Sequence, residues 1–88
     1  MLESIHQNLL EQIPELYDFN HSIHENFGYR LNYWCTGKTI IIKIEDSIIH
    51  LSYNGFIHYK YDINDPDSIE DLVDDIKHLI QKSGFPPK

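Results

Sequence analysis

Between Tyr29 and Asp62 the chain reads as four short runs of alternating apolar and polar residues, divided by short turn-forming breaks. The runs are Tyr29–Cys35, Lys38–Glu45, Ser47–Tyr53 and Phe56–Asp62, and the breaks are Thr36-Gly37, Glu45-Asp46 and Asn54-Gly55. A period of two places alternate side chains on opposite faces of a strand, and connections this short leave room only for antiparallel hairpins. Asn-Gly is the strongest of the breaks, because a type I′ turn wants positive φ at both central residues. The segment is therefore expected to form a four-stranded antiparallel meander.

Two-residue turns set an expected register. A turn at 36–37 pairs Cys35 with Lys38 and Leu31 with Ile42. A turn at 54–55 pairs Tyr53 with Phe56 and Leu51 with His58. The middle turn falls at 45–46 or 46–47, and both choices give the same facing. One sheet face then carries Tyr29, Leu31, Tyr33, Ile40, Ile42, Ile44, Ile49, Leu51, Tyr53, Phe56 and His58, the expected core. The other carries Arg30, Asn32, Trp34, Thr39, Ile41, Lys43, Ile48, His50, Ser52, Ile57, Tyr59 and Tyr61.

Helical patterns flank the strands. Leu2, Ile5, Leu9, Ile13 and Leu16 recur at spacings of three and four, which marks one helical face. Pro14 interrupts it, so a helix over 2–12 with a helical continuation after the proline is expected. Residues 20–28 read as a connection, with Ser22 and Glu25 spaced as a capping box for one short turn and Gly28 ending it. Near the other end, Ile69, Leu72, Val73, Ile76, Leu79 and Ile80 form a wide apolar stripe. Asp65 or Asp67 serves as its cap, Pro66 suits a first helical position, and Gly84 is the natural stop. The fold class is α+β, in the order α-β-β-β-β-α, with both helices on one sheet face as a two-layer sandwich. Residues 1–84 form the single domain and 85–88 a tail.

The helix–sheet–helix order resembles that of double-stranded-RNA-binding domains, which have three strands. That family meets phosphates with lysines at the start of its last helix, whereas this chain has Asp65, Asp67, Glu70 and Asp71 there. The departure argues against direct nucleic-acid binding. So does a formal charge of −7, from 14 acids against 7 Lys plus Arg, since phosphate neutralisation needs clustered cations. No aliphatic run approaches the roughly 20 residues of a membrane span, and the first residues lack the basic lead of a secretory signal. Cys35 is the single cysteine, so no internal disulfide forms; a reducing, cytoplasmic setting is expected.

Two surfaces stand out as sites. Asp62, Asp65, Asp67, Glu70, Asp71, Asp74 and Asp75 place seven of the 14 acids in positions 62–75, with no base among them. The plain meaning is a solvated helix face; the functional one is a negative surface that steers a basic protein. A calcium loop does not fit, because Pro66 replaces a ligand and no glycine makes the bend. The second surface is Trp34, Ile41, His50, Ile57, Tyr59 and Tyr61 on the non-core sheet face. These include residue types common at interface hot spots, unless the first helix covers them.

The remaining candidates are weaker. His21, His24 and Glu25 are acceptable zinc ligands but not a closed set. His50 and His58 fall on opposite faces in the expected register, with His58 at the core edge. His78 follows Asp74 by four, an ordinary helix-surface pair. Neither an activated-thiol motif nor a phosphate-cradling glycine loop is present. A non-enzymatic binding protein without metal or cofactor is expected. Its partner would be a protein with a basic, nucleic-acid-binding surface, or a second copy through the sheet face. In size and charge the chain is similar to small acidic inhibitors of phages and mobile elements, including anti-CRISPR and anti-restriction proteins.

Overall fold

A computed structural model describes residues 2–25, 28–55 and 57–82. Helix α1 spans Leu2–Gln12 and is followed by a 3₁₀ segment, Pro14–Asp18. Ile13 makes the last helical bond, donating its N–H to the Leu9 carbonyl at 2.8 Å, before Pro14 restarts the chain in a tighter turn. The continuation past the proline is as the sequence predicts. It keeps Leu2, Ile5, Leu9, Ile13 and Leu16 buried along one side.

Among the described residues five strands follow, not four: β1 (Asn20–His24), β2 (Tyr29–Cys35), β3 (Lys38–Glu45), β4 (Ile48–Tyr53) and β5 (Ile57–Asp62). They form one antiparallel sheet in sequence order. The extra strand occupies the stretch expected to be a loop. The Ser22 hydroxyl does not cap a helix turn there; it accepts a hydrogen bond from Asn32 Nδ2 at 3.0 Å across the β1–β2 pair. β1 is an edge strand and holds a single aliphatic residue, Ile23, so periodicity alone did not reveal it.

The β2–β3 register is the expected one, with Cys35 opposite Lys38 and Leu31 opposite Ile42. The β3–β4 turn falls at Asp46-Ser47, both at positive φ (53° and 63°), with Glu45 opposite Ile48. The β4–β5 register differs by one residue. Tyr53 stands opposite Ile57 and Leu51 opposite Tyr59. Asn54 supplies a reason. Its N–H donates to the Thr39 carbonyl at 2.8 Å and its side-chain oxygen accepts from the Thr39 N–H at 2.7 Å. Asn54 thus extends the pairing with β3, and β5 starts one residue later than a two-residue turn allows. A one-residue slip reverses every side chain of a strand.

The core is built on Leu31, Tyr33, Ile40, Ile42, Ile44, Ile49 and Leu51 of one sheet face. The same cluster contains the buried residues of α1, the 3₁₀ segment and α2 (Ser68–Lys82), including Leu72, Val73, Ile76 and Ile80. Helix α1 therefore sends its apolar side to this face rather than to the other. Tyr29 is 45% exposed at the margin of the expected core face. Phe56 and the expected stop at Gly84 lie outside the described residues. Asp67, not Pro66, immediately precedes α2, and its carbonyl accepts the Asp71 N–H at 2.9 Å. Among the described residues no helix is long and apolar enough to cross a membrane.

Candidate functional site

The seven acids expected to act together divide in the structure. Asp62 and Asp65 form local turns, each accepting the backbone N–H two residues on (Asn64 and Asp67, both at 2.9 Å). Asp75 is half-buried and accepts the Tyr61 hydroxyl at 2.6 Å. That leaves Asp67, Glu70, Asp71 and Asp74, all exposed. Their spacing of i, i+3, i+4 and i+7 makes one continuous stripe. None of the four is in an ion pair among the described residues. The opposite side of α2 is held by Leu72, Val73, Ile76 and Ile80, so the stripe rides on an anchored element.

The sheet face away from the core differs from its expected composition. Trp34, Ile41 and His50 lie on it, together with Arg30, Asn32 and Lys43. Tyr59 and Tyr61 do not, because the β5 register turns them to the core side; position 57 falls on that side as well. Tyr61 packs against the core, and Tyr59 is 39% exposed at the sheet edge. The aromatic patch is thereby reduced to Trp34, which is 41% exposed.

In exchange the face gains His58 and Lys60 from β5, and Asn20, Ser22 and His24 from β1. His24, Arg30, Lys43, His50 and Lys60 are successive cross-strand partners, one from each strand. At about 4.8 Å per strand this row is roughly 19 Å long. Lys43 Nζ lies 2.9 Å from Glu45 Oε2. The Lys43 hydrogen bond and charge, with His50 nearby, hold the Glu45 carboxyl below its usual range. His50 and His58, expected on opposite faces, line one shallow depression with Ile41, Lys43, Glu45 and Ser52. Arg30, Lys43 and His50 were legible in the sequence. The rest of the row depended on the missed strand and the slipped register.

A second polar cluster joins α1 to the sheet. His6, on α1, is buried, and its Nδ1 lies 2.7 Å from the hydroxyl of fully buried Tyr33. The His21 ring sits over His6 with centroids 4.3 Å apart. Burial, then the charge of His21, lowers the His6 pKa below the ordinary 6.5. Burial raises the Tyr33 phenol above its usual range. His21 and His24 are three apart on a strand, so they occupy opposite faces and cannot share a metal. Among the described residues no three His, Cys, Asp or Glu are grouped to hold one. Cys35 is a half-buried free thiol packed against the core.

The chain matches no known family, no curated protein and no solved structure.

Proposed function

We propose that this is a non-enzymatic protein-binding domain, a small inhibitor that presents the α2 stripe to a basic, nucleic-acid-binding protein. The quartet Asp67, Glu70, Asp71 and Asp74, exposed and without an ion pair among the described residues, carries this reading. At a 1.5 Å rise, positions 67 to 74 span about 10.5 Å, roughly 3.5 Å per charge. One strand of DNA carries a charge about every 3.4 Å. A rigid helix with that linear density is a fit for a groove that otherwise holds a phosphate backbone. Like charges at i, i+4 weaken a helix, and both 67/71 and 70/74 are such pairs.

In this reading the fold is a two-layer sandwich, acting in the cytoplasm where Cys35 stays reduced. Anti-defence inhibitors of phages and mobile elements, of the anti-CRISPR or anti-restriction kind, are its functional class. Affinity capture from the source cells tests it. Wild-type protein is expected to retain a basic protein at low salt and release it at high salt. The variant D67N/E70Q/D71N/D74N is expected to retain none. Equal capture by wild type and variant overturns the proposal.

A second reading rests on Trp34, exposed beside Ile41 on the uncovered sheet face: a structural or regulatory subunit that binds a partner through that face. Trp34→Ala abolishes capture in this case, and high salt does not.

A further inference from the structure

The uncovered sheet face is the cationic part of an acidic chain. It holds Arg30, Lys43 and Lys60, out of seven Lys and Arg, and His24, His50 and His58, out of six histidines. Of the 14 acids, Glu45 and Asp62 alone occupy register positions on it. No residue of α1 or α2 shares this face; their buried residues belong to the cluster on the other side.

Cations directly opposite each other on neighbouring strands repel. Arg30 stands opposite Lys43, and His50 stands opposite Lys60. Glu45 relieves Lys43 at 2.9 Å. Arg30 and Lys60, both exposed, have no ion pair among the described residues. The row therefore calls for a counter-charge from outside. Asp67, Glu70, Asp71 and Asp74 supply one of matching form, about 10.5 Å long against a row of about 19 Å. They sit on the solvent side of a helix packed against the other sheet face. One molecule cannot join its own stripe to its own row, but two molecules can.

We propose that the uncovered sheet face docks the α2 stripe of a second copy, head to tail, when the histidines of the row carry protons. This deepens the preceding proposal, since it rests on the stripe being a recognition surface. At neutral pH a charge of −7 on each copy opposes the encounter. Each histidine that gains a proton in mild acid takes one unit off that opposing charge. The row then carries five positive groups, with His58 beside it. The contact joins two different surfaces, so it does not close by twofold symmetry and extends into short chains. Docking also hides the stripe, so an assembled copy is unavailable to its basic partner.

Sedimentation velocity at low salt, at about pH 7.5 and about pH 6, tests this. Wild-type protein is expected to be monomeric at the higher pH. At the lower pH it is expected to self-associate reversibly and to dissociate in about 0.3 M salt. R30Q/K60Q and D67N/E70Q/D71N/D74N are each expected to stay monomeric at the lower pH. Mixed together, they restore one contact and give a 1:1 complex that grows no further. Non-specific association behaves in the opposite way. The acid variant, at −3 rather than −7, would then aggregate more readily than wild type. That result, a monomeric wild type at pH 6, or no complex on mixing overturns the inference. R30Q/K60Q keeps the stripe, so its capture of a basic partner separately reports on the function proposed above.

Discussion

The Tyr61 hydroxyl donates to Asp75 at 2.6 Å, tying β5 to α2. The bond exists because β5 starts one residue later than its turn sequence implies, which brings Tyr61 to the helix side of the sheet. It also withdraws Asp75 from the acidic surface. Tyr61→Phe strips a half-buried carboxylate of its donor and is expected to destabilise the fold by about 1–3 kcal/mol. Asp75→Asn keeps an acceptor and costs less. Chemical denaturation of the two variants checks the order.

The same pair gives an alkaline limit. Burial raises the Tyr61 phenol first, and the Asp75 hydrogen bond and charge raise it further. A phenol whose folded pKa exceeds its unfolded value contributes stability below the unfolded pKa, near 10, and loses it as pH rises beyond. Burial acts on Tyr33 in the same direction. Stability is therefore expected to fall above about pH 10, with a shallower slope in Tyr61→Phe. Thermal melts across that range measure it.

At the acid end His6 has the opposite sign. Its folded pKa is lowered, so the unfolded chain binds the proton more readily. The neutral site contributes stability above the unfolded pKa of about 6.5 and loses it as pH falls through and below that value. His6→Gln is expected to reduce the stability difference between pH 7.5 and pH 5.5. Tyr33→Phe is expected to destabilise at both pH values while leaving that difference in place. Urea titrations at the two pH values distinguish them.

Asn54 carries the β4–β5 register. It sits at φ 52°, a region side chains rarely adopt, and bonds twice to Thr39. Asn54→Ala loses the side-chain bond and keeps the strain, for an expected loss of about 1–2 kcal/mol. Asn54→Gly relieves the strain and loses less. Hydrogen exchange is expected to show faster opening at Thr39 in Asn54→Ala.

Much of the fold was legible because strong local signals agreed. Leu2, Ile5 and Leu9 marked α1, Pro14 its end, and the Ile69–Ile80 stripe marked α2. Thr36-Gly37 set the β2–β3 register correctly. Two features escaped for separate reasons. β1 is a short edge strand whose residues, apart from Ile23, are polar, so it looks like a loop until Asn32 is there to bond Ser22. The Asn54-Gly55 signal correctly indicated positive φ. It did not reveal that Asn54 is engaged by Thr39 on a third strand, a non-local contact no hairpin rule contains. That one residue moved Tyr59 and Tyr61 off the uncovered face and brought His58 and Lys60 onto it. An expected aromatic patch became a cationic row. The acidic block, expected to act as one surface, divides: Asp62, Asp65 and Asp75 are engaged in hydrogen bonds, and Asp67, Glu70, Asp71 and Asp74 stay exposed on α2 and its entry.

The most direct test is the association rate of the captured basic partner as a function of ionic strength. Wild-type protein is expected to bind fast at low salt, with a rate falling steeply as salt rises, and D67N/E70Q/D71N/D74N to bind slowly with little salt dependence. The variant is expected to fold with stability within about 1 kcal/mol of wild type, since all four positions are exposed. If wild type and variant share one rate and one salt slope, the α2 stripe is not the binding surface.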